Sequence, residues 1–209
     1  MYLPKVFRED DPALLSEVMR RHAFATLVTV HEGVPFASHL PFLHDDTGGG
    51  GGTLWGHMAR ANRQWRDFGE GEVLVSFQGP DCYVSPSAYR GELQVPTWNY
   101  VAVHAYGRPR VLSSEELRGV LRRLSDVHEE GREPRWHFDG LPGDFVDELL
   151  GELTGFAVEI TRLEGKLKLS QNRDPEDRRG VLDALKGSAD PEARAVAGWM
   201  DRVYSKEKV

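Results

Sequence analysis

The chain of 209 residues has one cysteine, no excess of basic residues and no apolar run long enough to cross a membrane. The single cysteine, Cys82, excludes an intrachain disulfide framework and a cysteine-rich zinc site, and it is typical of a reducing compartment. Asp and Glu number 33 against 26 Lys and Arg, and the resulting net charge of -7 disfavours direct DNA binding. The first ten residues lack the layout of a signal peptide. We therefore expect a cytoplasmic protein that does not bind a membrane.

The order of strand and helix signals predicts a small antiparallel barrel decorated by helices. Strands are predicted at 24–30, 34–43, 53–57, 73–78, 82–86, 97–112 and 155–162, with 167–171 as a continuation of the last. Helices are predicted from Asp11 to about Arg21, over 61–68, 114–129 and 145–153, and after Asp174-Pro175 and Asp190-Pro191. The glycine run at 48–52 is predicted to be a loop. GxGxxG and GxxxxGK[ST] are absent, which disfavours a doubly wound parallel sheet.

The segment 54–65 combines an apolar strand with the start of a predicted helix. Arg60 and Asn62 lie where backbone amides and a guanidinium can converge on an anion, so this segment predicts a phosphate site. The alternative is an amphipathic helix whose arginines are solvated.

The segment 163–173 is rich in hydrogen-bond donors. If it is extended, Lys166, Lys168 and Ser170 share one face, directly before the predicted helix start at Asp174. This arrangement suits an anionic ligand. The alternative is an edge strand that uses lysines to prevent aggregation.

The segment 94–108 carries aromatic and amide side chains. Trp98 and Tyr100 could stack on a planar ring while Asn99 contacts its polar edge, or Trp98 could belong to the core. A flavin would use all three segments together, because its phosphate needs donors, its ring needs apolar or aromatic walls, and its polar ring atoms need amides.

Other kinds of chemistry have little support. His39, His57 and His104 are not accompanied by HExxH or by paired carboxylates, so we expect no metal site. No serine lies in a G-x-S-x-G motif, and Cys82 has no adjacent base. The sequence therefore names no catalytic residue.

Six ordered blocks resemble the PaiB-like family of FMN-binding negative transcriptional regulators, which are relatives of the pyridoxamine phosphate oxidases. The blocks are MYLPKVFRED at 1–10, HLPF at 39–42, GHMARANRQW at 56–65, FQGPDCYVSPS at 77–87, VPTWNY with VHAYGR at 95–108, and LEGKLKLSQNR at 163–173. The sequence departs from the family pattern at Ala88, where a tryptophan would be expected, so no ring-stacking role is assigned to that loop.

The resemblance implies a mainly β fold, a split β-barrel that is antiparallel and of the Greek-key type, with peripheral and C-terminal helices. It implies a single FMN-binding domain over 1–209, with about 174–205 as its helical extension. It also implies a homodimer that binds FMN at the subunit interface with residues of both chains.

The resemblance also implies roles for individual residues. Arg60 and Asn62 become phosphate ligands, His57 lines the site, and Ser38 and His39 lie near the ring. Further polar contacts are expected from Lys166, Lys168, Gln171, Asn172 and Arg173, and the third segment contributes Trp98 and Asn99.

The implied function is negative transcriptional regulation by an FMN-binding protein. Since no helix-turn-helix is recognisable and the charge is acidic, we expect this regulation to be indirect, through a partner or a flavin-linked redox signal. The alternative is a flavin-dependent oxidoreductase of small molecules, and a third reading is a haem-binding split barrel that uses a histidine as axial ligand.

Overall fold

The computed structural model describes residues 1–47, 50–69, 71–91 and 93–206. The strands in these ranges are β1 (Arg8–Glu9), β2 (Phe24–His31), β3 (Val34–Asp45), β4 (Thr53–Ala59), β5 (Val73–Val84), β6 (Thr97–Val111) and β7 (Leu153–Lys168). The α-helices are α1 (Pro12–Arg21), α2 (Ser114–Glu129), α3 (Gly143–Gly151), α4 (Pro175–Lys186) and α5 (Pro191–Lys206). Short 3-10 helices span Lys5–Phe7, Arg63–Asp67, Pro86–Ala88 and Phe138–Gly140.

All seven strands belong to one sheet with the order β1-β7-β4-β3-β2-β5-β6, and β6 also pairs with β7. Because β6 pairs with β7, the strands from β7 to β6 form a closed ring in the strand order. The pairs β1–β7, β2–β3, β2–β5, β3–β4 and β4–β7 are antiparallel. The predicted fold class, mainly β and antiparallel with peripheral helices, is therefore confirmed.

The chain divides into two compact units. The first unit comprises Met1–Asp11, Gln78–Val103 and Glu164–Val209, and the second comprises Pro12–Phe77 and His104–Leu163. Three strands, β5, β6 and β7, contribute residues to both units. The single domain expected from the resemblance stays a prediction.

The β2–β3 hairpin carries two candidate site residues of the second unit, Ser38 and His39. Glu32 and Gly33 form its turn with positive φ values of 50° and 82°, which match the twist of the flanking strands. The register pairs Thr26 with His39 and Leu27 with Ser38. The predicted hairpin is confirmed.

Helix starts follow the predicted capping signals. Ser113 and Glu116 form a complete capping box at the start of α2. The Asp174 side chain accepts hydrogen bonds from the first-turn amides of α4, and Pro175 follows it as the first helical residue. The helices predicted at 114–129 and after both Asp-Pro pairs are confirmed, and α3 begins two residues before its predicted start.

One predicted break between strands is wrong. The triplet 79–81 does not end β5, which continues to Val84 as one strand instead of a separate one at 82–86. Gly79 lies against β6, where a Cβ would be 3.0 Å from the Cβ of Val101, so this glycine permits close approach within the sheet. The predicted continuation of the strand at 155–162 into 167–171 is confirmed as far as Lys168, where the single strand β7 ends.

Two other predicted elements differ from the structure. Ser170 has a φ of 66°, so the predicted extended segment turns before its end. The predicted helix over 61–68 is a 3-10 helix of 5 residues, Arg63–Asp67. In the predicted glycine loop, residues 48 and 49 lie outside the described residues. Among the helices that the structure describes, none is long and apolar enough to span a bilayer.

Candidate functional site

The predicted site residues fall into two groups, one in each unit. The hairpin group, in the second unit, consists of Ser38, His39, His57, Arg60 and Asn62. The turn group, in the first unit, consists of Trp98, Asn99, Lys166, Lys168, Gln171, Asn172 and Arg173. The two groups use their polar atoms differently.

Ser38 and Asn62 form the centre of the hairpin group. The side-chain amide of Asn62 donates to the Ser38 hydroxyl at 2.9 Å, and its oxygen accepts from the Gln64 backbone amide at 3.1 Å. Because the Ser38 hydroxyl is the acceptor, its own proton remains for another group, as does the second amide hydrogen of Asn62. Two hydrogen-bond donors, one from β3 and one from the start of the 3-10 helix, thus lie side by side without an acceptor among the described residues.

Arg60 lies close to this pair in sequence, but its guanidinium is partly engaged. Its Nε donates to the carbonyl of Gly151 at 2.5 Å and its Nη2 donates to that of Leu153 at 2.9 Å. Gly151 is the last residue of α3, where a cation also meets the negative end of the helix dipole, and Leu153 is the first residue of β7. Only the remaining guanidinium donors can reach a phosphate without breaking these bonds.

The 3-10 helix beside Arg60 does not provide the array of amides expected from the sequence. It is one short turn, and Asn62 already satisfies the Gln64 amide. Phosphate binding in the hairpin group therefore depends on side chains.

His57 and His39 differ in burial. His57 lies on β4, and its Nδ1 is buried without a hydrogen-bond partner in the described part of the chain. Burial lowers the pKa of His57, so its imidazole is neutral at pH 7. His39 is exposed on β3, and its Nδ1 lies 3.0 Å from the Thr26 hydroxyl.

Asn99 and Gln171 of the turn group satisfy their polar atoms internally. Asn99, which is 0% exposed, exchanges hydrogen bonds with the Ser170 hydroxyl at 2.9 and 3.2 Å. Gln171 donates to the carbonyl of Leu167 at 2.5 Å and accepts from the amide of Leu169 at 2.7 Å, which closes the turn after β7. These residues stabilise the path of the chain between β7 and α4.

The cations of the turn group also contact the protein. The buried Lys166 donates to the carbonyl of Tyr2 at 3.0 Å, and its Nζ lies 5.2 Å from the ring centre of Tyr100. Lys168 donates to the Thr97 hydroxyl at 2.6 Å. Burial lowers the pKa of Lys168, and the charges of Lys166 and Arg173 lower it further. Within the described residues, none of Lys166, Lys168 and Arg173 has a carboxylate partner.

The remaining members of the turn group are more accessible. Trp98 is 54% exposed and contacts the Tyr83 ring edge-on, so it does not belong to the core. Arg173 donates to the side chain of Gln94 at 2.9 Å and lies over the ring of Tyr89. Asn172 is exposed.

One residue that sequence reasoning did not select lies beside the hairpin group. Gln64 is 2% exposed and donates to the carbonyls of Leu27 and Phe36. Gln64 belongs to the GHMARANRQW block, and its position in that block is the sequence signal that could have identified it as a site residue.

The hairpin group fits the phosphate end of FMN. A dianionic phosphate needs converging donors, and Asn62 together with Ser38, which the resemblance places near the ring, can supply them with the protons that their mutual hydrogen bond does not use. The unpartnered Nδ1 of the neutral His57 adds a polar atom that a bound ligand could satisfy. We conclude that the residues of this chain can hold FMN.

Comparisons with known proteins agree with this conclusion. Residues 1–162 match the family described as "Putative FMN-binding domain". Over 211 residues the chain is 35% identical to "Protease synthase and sporulation protein PAI 2" of Bacillus subtilis, covering 99% of this chain and 100% of that protein. It is 31% identical to an uncharacterized protein of Aspergillus fumigatus, covering 88% of this chain and 90% of that protein.

Solved structures show the same fold at low identity. The FAD and heme binding protein of Mycobacterium smegmatis has a TM-score of 0.62 at 21% identity, covering 82% of this chain and 78% of that chain. The flavocytochrome Anf3 of Azotobacter vinelandii has a TM-score of 0.60 at 17% identity, covering 83% of this chain and 75% of that chain. Together with the closed antiparallel strand order, these neighbours confirm the split-barrel fold.

Proposed function

The chain belongs to the PaiB-like family of FMN-binding split-barrel proteins, and we propose that it acts as a negative regulator of transcription through the FMN it binds. FMN is its cofactor, as the family match indicates. Bound FMN supplies a redox-active isoalloxazine ring and a phosphate dianion. The Bacillus relative is named for protease synthesis and sporulation, which supports a regulatory role for this chain.

The observation that supports the FMN site is the hydrogen bond between Asn62 and Ser38. It aligns two side chains so that each keeps one proton for a ligand. We propose that these protons contact the phosphate and that His57 and His39 lie along the flavin. In this proposal Arg60 brings a positive charge next to the phosphate. It donates to the phosphate with the guanidinium hydrogens that do not bond to the carbonyls of Gly151 and Leu153.

A mutational comparison tests this site. We expect Asn62→Ala to weaken FMN binding about tenfold, or about 1.4 kcal/mol, because it removes a hydrogen bond to a charged group. Ser38→Ala should have a similar effect. The matched control is Ser114→Ala, since Ser114 is an exposed serine at the start of α2. Flavin fluorescence and visible absorption measure the affinity, and unchanged affinity in both site variants would contradict the assignment.

We propose that a second copy of the chain completes the site. Apolar side chains are exposed on β3, which carries Ser38 and His39, and on its paired strand β2, with Val34 of β3 at 64% and Phe24 of β2 at 70%. A homodimer that covers these strands would remove this apolar surface from water and enclose the flavin. Light scattering on the FMN-loaded protein tests the oligomeric state, and a monomer at micromolar concentration would contradict the proposal.

We propose that the regulation is indirect. The net charge of -7 opposes association with DNA phosphates, so the signal would pass through a partner protein or the redox state of the flavin. The test is retention of promoter DNA by the FMN-loaded protein against nonspecific competitor DNA. Salt-sensitive, promoter-specific retention would overturn indirect action, and rapid NADPH oxidation with turnover of an acceptor would favour the alternative of a flavin-dependent oxidoreductase.

A further inference from the structure

Gln64 contacts both strands of the hairpin at the level of Ser38. Its Nε2 donates to the carbonyl of Leu27 at 3.1 Å and to that of Phe36 at 3.2 Å. Leu27 is the register partner of Ser38, and Phe36 precedes Ser38 by two residues on the same strand. One buried amide therefore holds the 3-10 helix to β2 and β3 next to the Ser38 hydroxyl.

The orientation of the Gln64 amide follows from its partners. Both partners are carbonyl oxygens, so the nitrogen must face them and the orientation is not ambiguous. Its Oε1 is then buried with no donor among the residues that the structure describes. An unpaired buried acceptor lowers the stability of the fold. We therefore look for the role of Gln64 in the two hydrogen bonds that its Nε2 donates to β2 and β3.

The same residue is linked to Asn62. The backbone amide of Gln64 donates to Asn62 Oδ1, which leaves the nitrogen of that side chain to face Ser38. A shift of the 3-10 helix away from β2 and β3 would therefore separate Asn62 from Ser38.

We infer that Gln64 is a positioning residue for FMN, which holds Asn62 against Ser38 so that their free donors meet the phosphate. In this inference Gln64 acts through Asn62 and Ser38 and makes no contact of its own with the phosphate. The inference rests on the proposed FMN site. Its test distinguishes a wrong role for Gln64 from a wrong assignment of the FMN site.

A double-mutant cycle between Gln64 and Asn62 tests the inference. Gln64→Met keeps the length of the side chain and removes its amide. We expect this variant to bind FMN about tenfold more weakly in the wild-type background and less than about twofold more weakly in an Asn62→Ala background, because the effect acts through Asn62. The matched control is Gln78→Met, since Gln78 is an exposed glutamine on β5.

The second readout is the phosphorus NMR resonance of bound FMN. We expect Gln64→Met to move this resonance, because the phosphate loses its aligned donors, whereas a residue that only stabilises the fold would leave it in place. The melting temperature of the FMN-free variant measures the structural contribution separately.

Several outcomes would overturn the inference. An equal loss of affinity in both backgrounds, or an unchanged affinity and resonance, would show that Gln64 does not act through Asn62. If Gln64→Met does not fold, Gln64→Glu replaces it, since a carboxylate also cannot donate to the two carbonyls. If neither variant folds, Gln64 is required for folding, and the inference that it positions Asn62 for FMN is overturned. If the wild-type protein binds no FMN, the proposed function itself is wrong, and the inference falls with it.

Discussion

Apart from Ser38, the residues of the hairpin group and the turn group lie within the family-like blocks, yet the polar side chains of the two groups form different kinds of contact. In the hairpin group, Ser38 and Asn62 bond to each other and keep protons for a ligand. In the turn group, Asn99 and Gln171 form their hydrogen bonds with buried atoms of the protein itself. The count of donors in a motif therefore does not separate the two groups. We propose that the binding site lies where donors remain after the protein has satisfied its own backbone and side chains.

The largest expected effect comes from the turn group. Asn99→Ala leaves the Ser170 hydroxyl buried without its partner and opens a cavity. We expect the free energy of unfolding to fall by about 2–4 kcal/mol, because an unpaired buried polar group and a cavity add their costs. Urea unfolding of the FMN-free protein, followed by circular dichroism, measures the change.

Asn172→Ala is the control for this substitution, since Asn172 is an exposed asparagine of the same group. Its effect on unfolding should stay within about 0.5 kcal/mol. A tenfold loss of FMN affinity in Asn99→Ala, with unfolding unchanged, would mean that the buried pair contacts ligand and would remove the distinction between the groups.

An intermediate effect is expected at Arg60, whose guanidinium has contacts of both kinds. Arg60→Ala removes the hydrogen bonds to the carbonyls of Gly151 and Leu153. We expect a loss of about 1–2 kcal/mol in unfolding free energy, together with a smaller loss of FMN affinity than Asn62→Ala produces. Parallel unfolding and FMN titrations measure both quantities.

Arg60→Lys sharpens this result because it keeps the charge but not the forked geometry. If Arg60→Ala instead weakens FMN binding by about 1.5–3 kcal/mol with unfolding unchanged, the guanidinium leaves α3 for the phosphate when the ligand binds, and Arg60 behaves as the sequence predicts.

The smallest expected effect is a pH dependence in the second unit. Burial lowers the pKa of His57 and that of His44, so the unfolded chain binds a proton at higher pH than the folded chain. Stability is therefore complete above the unfolded pKa of about 6.5 and falls as the pH drops through it. We expect the unfolding midpoint in urea to be lower at pH 5.5 than at pH 7.5.

The substitution His57→Phe should reduce this acid-dependent loss, because it removes a group that has no partner for its buried Nδ1 within the described residues. His128→Phe, at an exposed position on α2, is the control. An acid dependence that is identical in the wild type and in both variants would show that His57 does not titrate with folding.

Local signals predicted much of the fold. The Asp-Pro pairs, the Ser113 capping box and the Glu32-Gly33 turn act within a few residues, and the structure confirms each of them. The prediction failed at Gly79, where contact with Val101 on another strand keeps β5 extended through a sequence that is typical of a turn. A glycine that permits close approach cannot be distinguished from a turn glycine until the neighbouring strand is known.

The candidate site shows the same division. The residues of the family-like blocks and the need of FMN for donors could be read from the order of amino acids, because residue chemistry and short-range spacing are properties of the chain itself. Tertiary structure decided that Asn62 faces Ser38, that Gln64 holds them together, and that Asn99 is turned inward towards Ser170. These outcomes depend on which distant backbone and side-chain atoms need partners, and that need arises only when folding removes them from water.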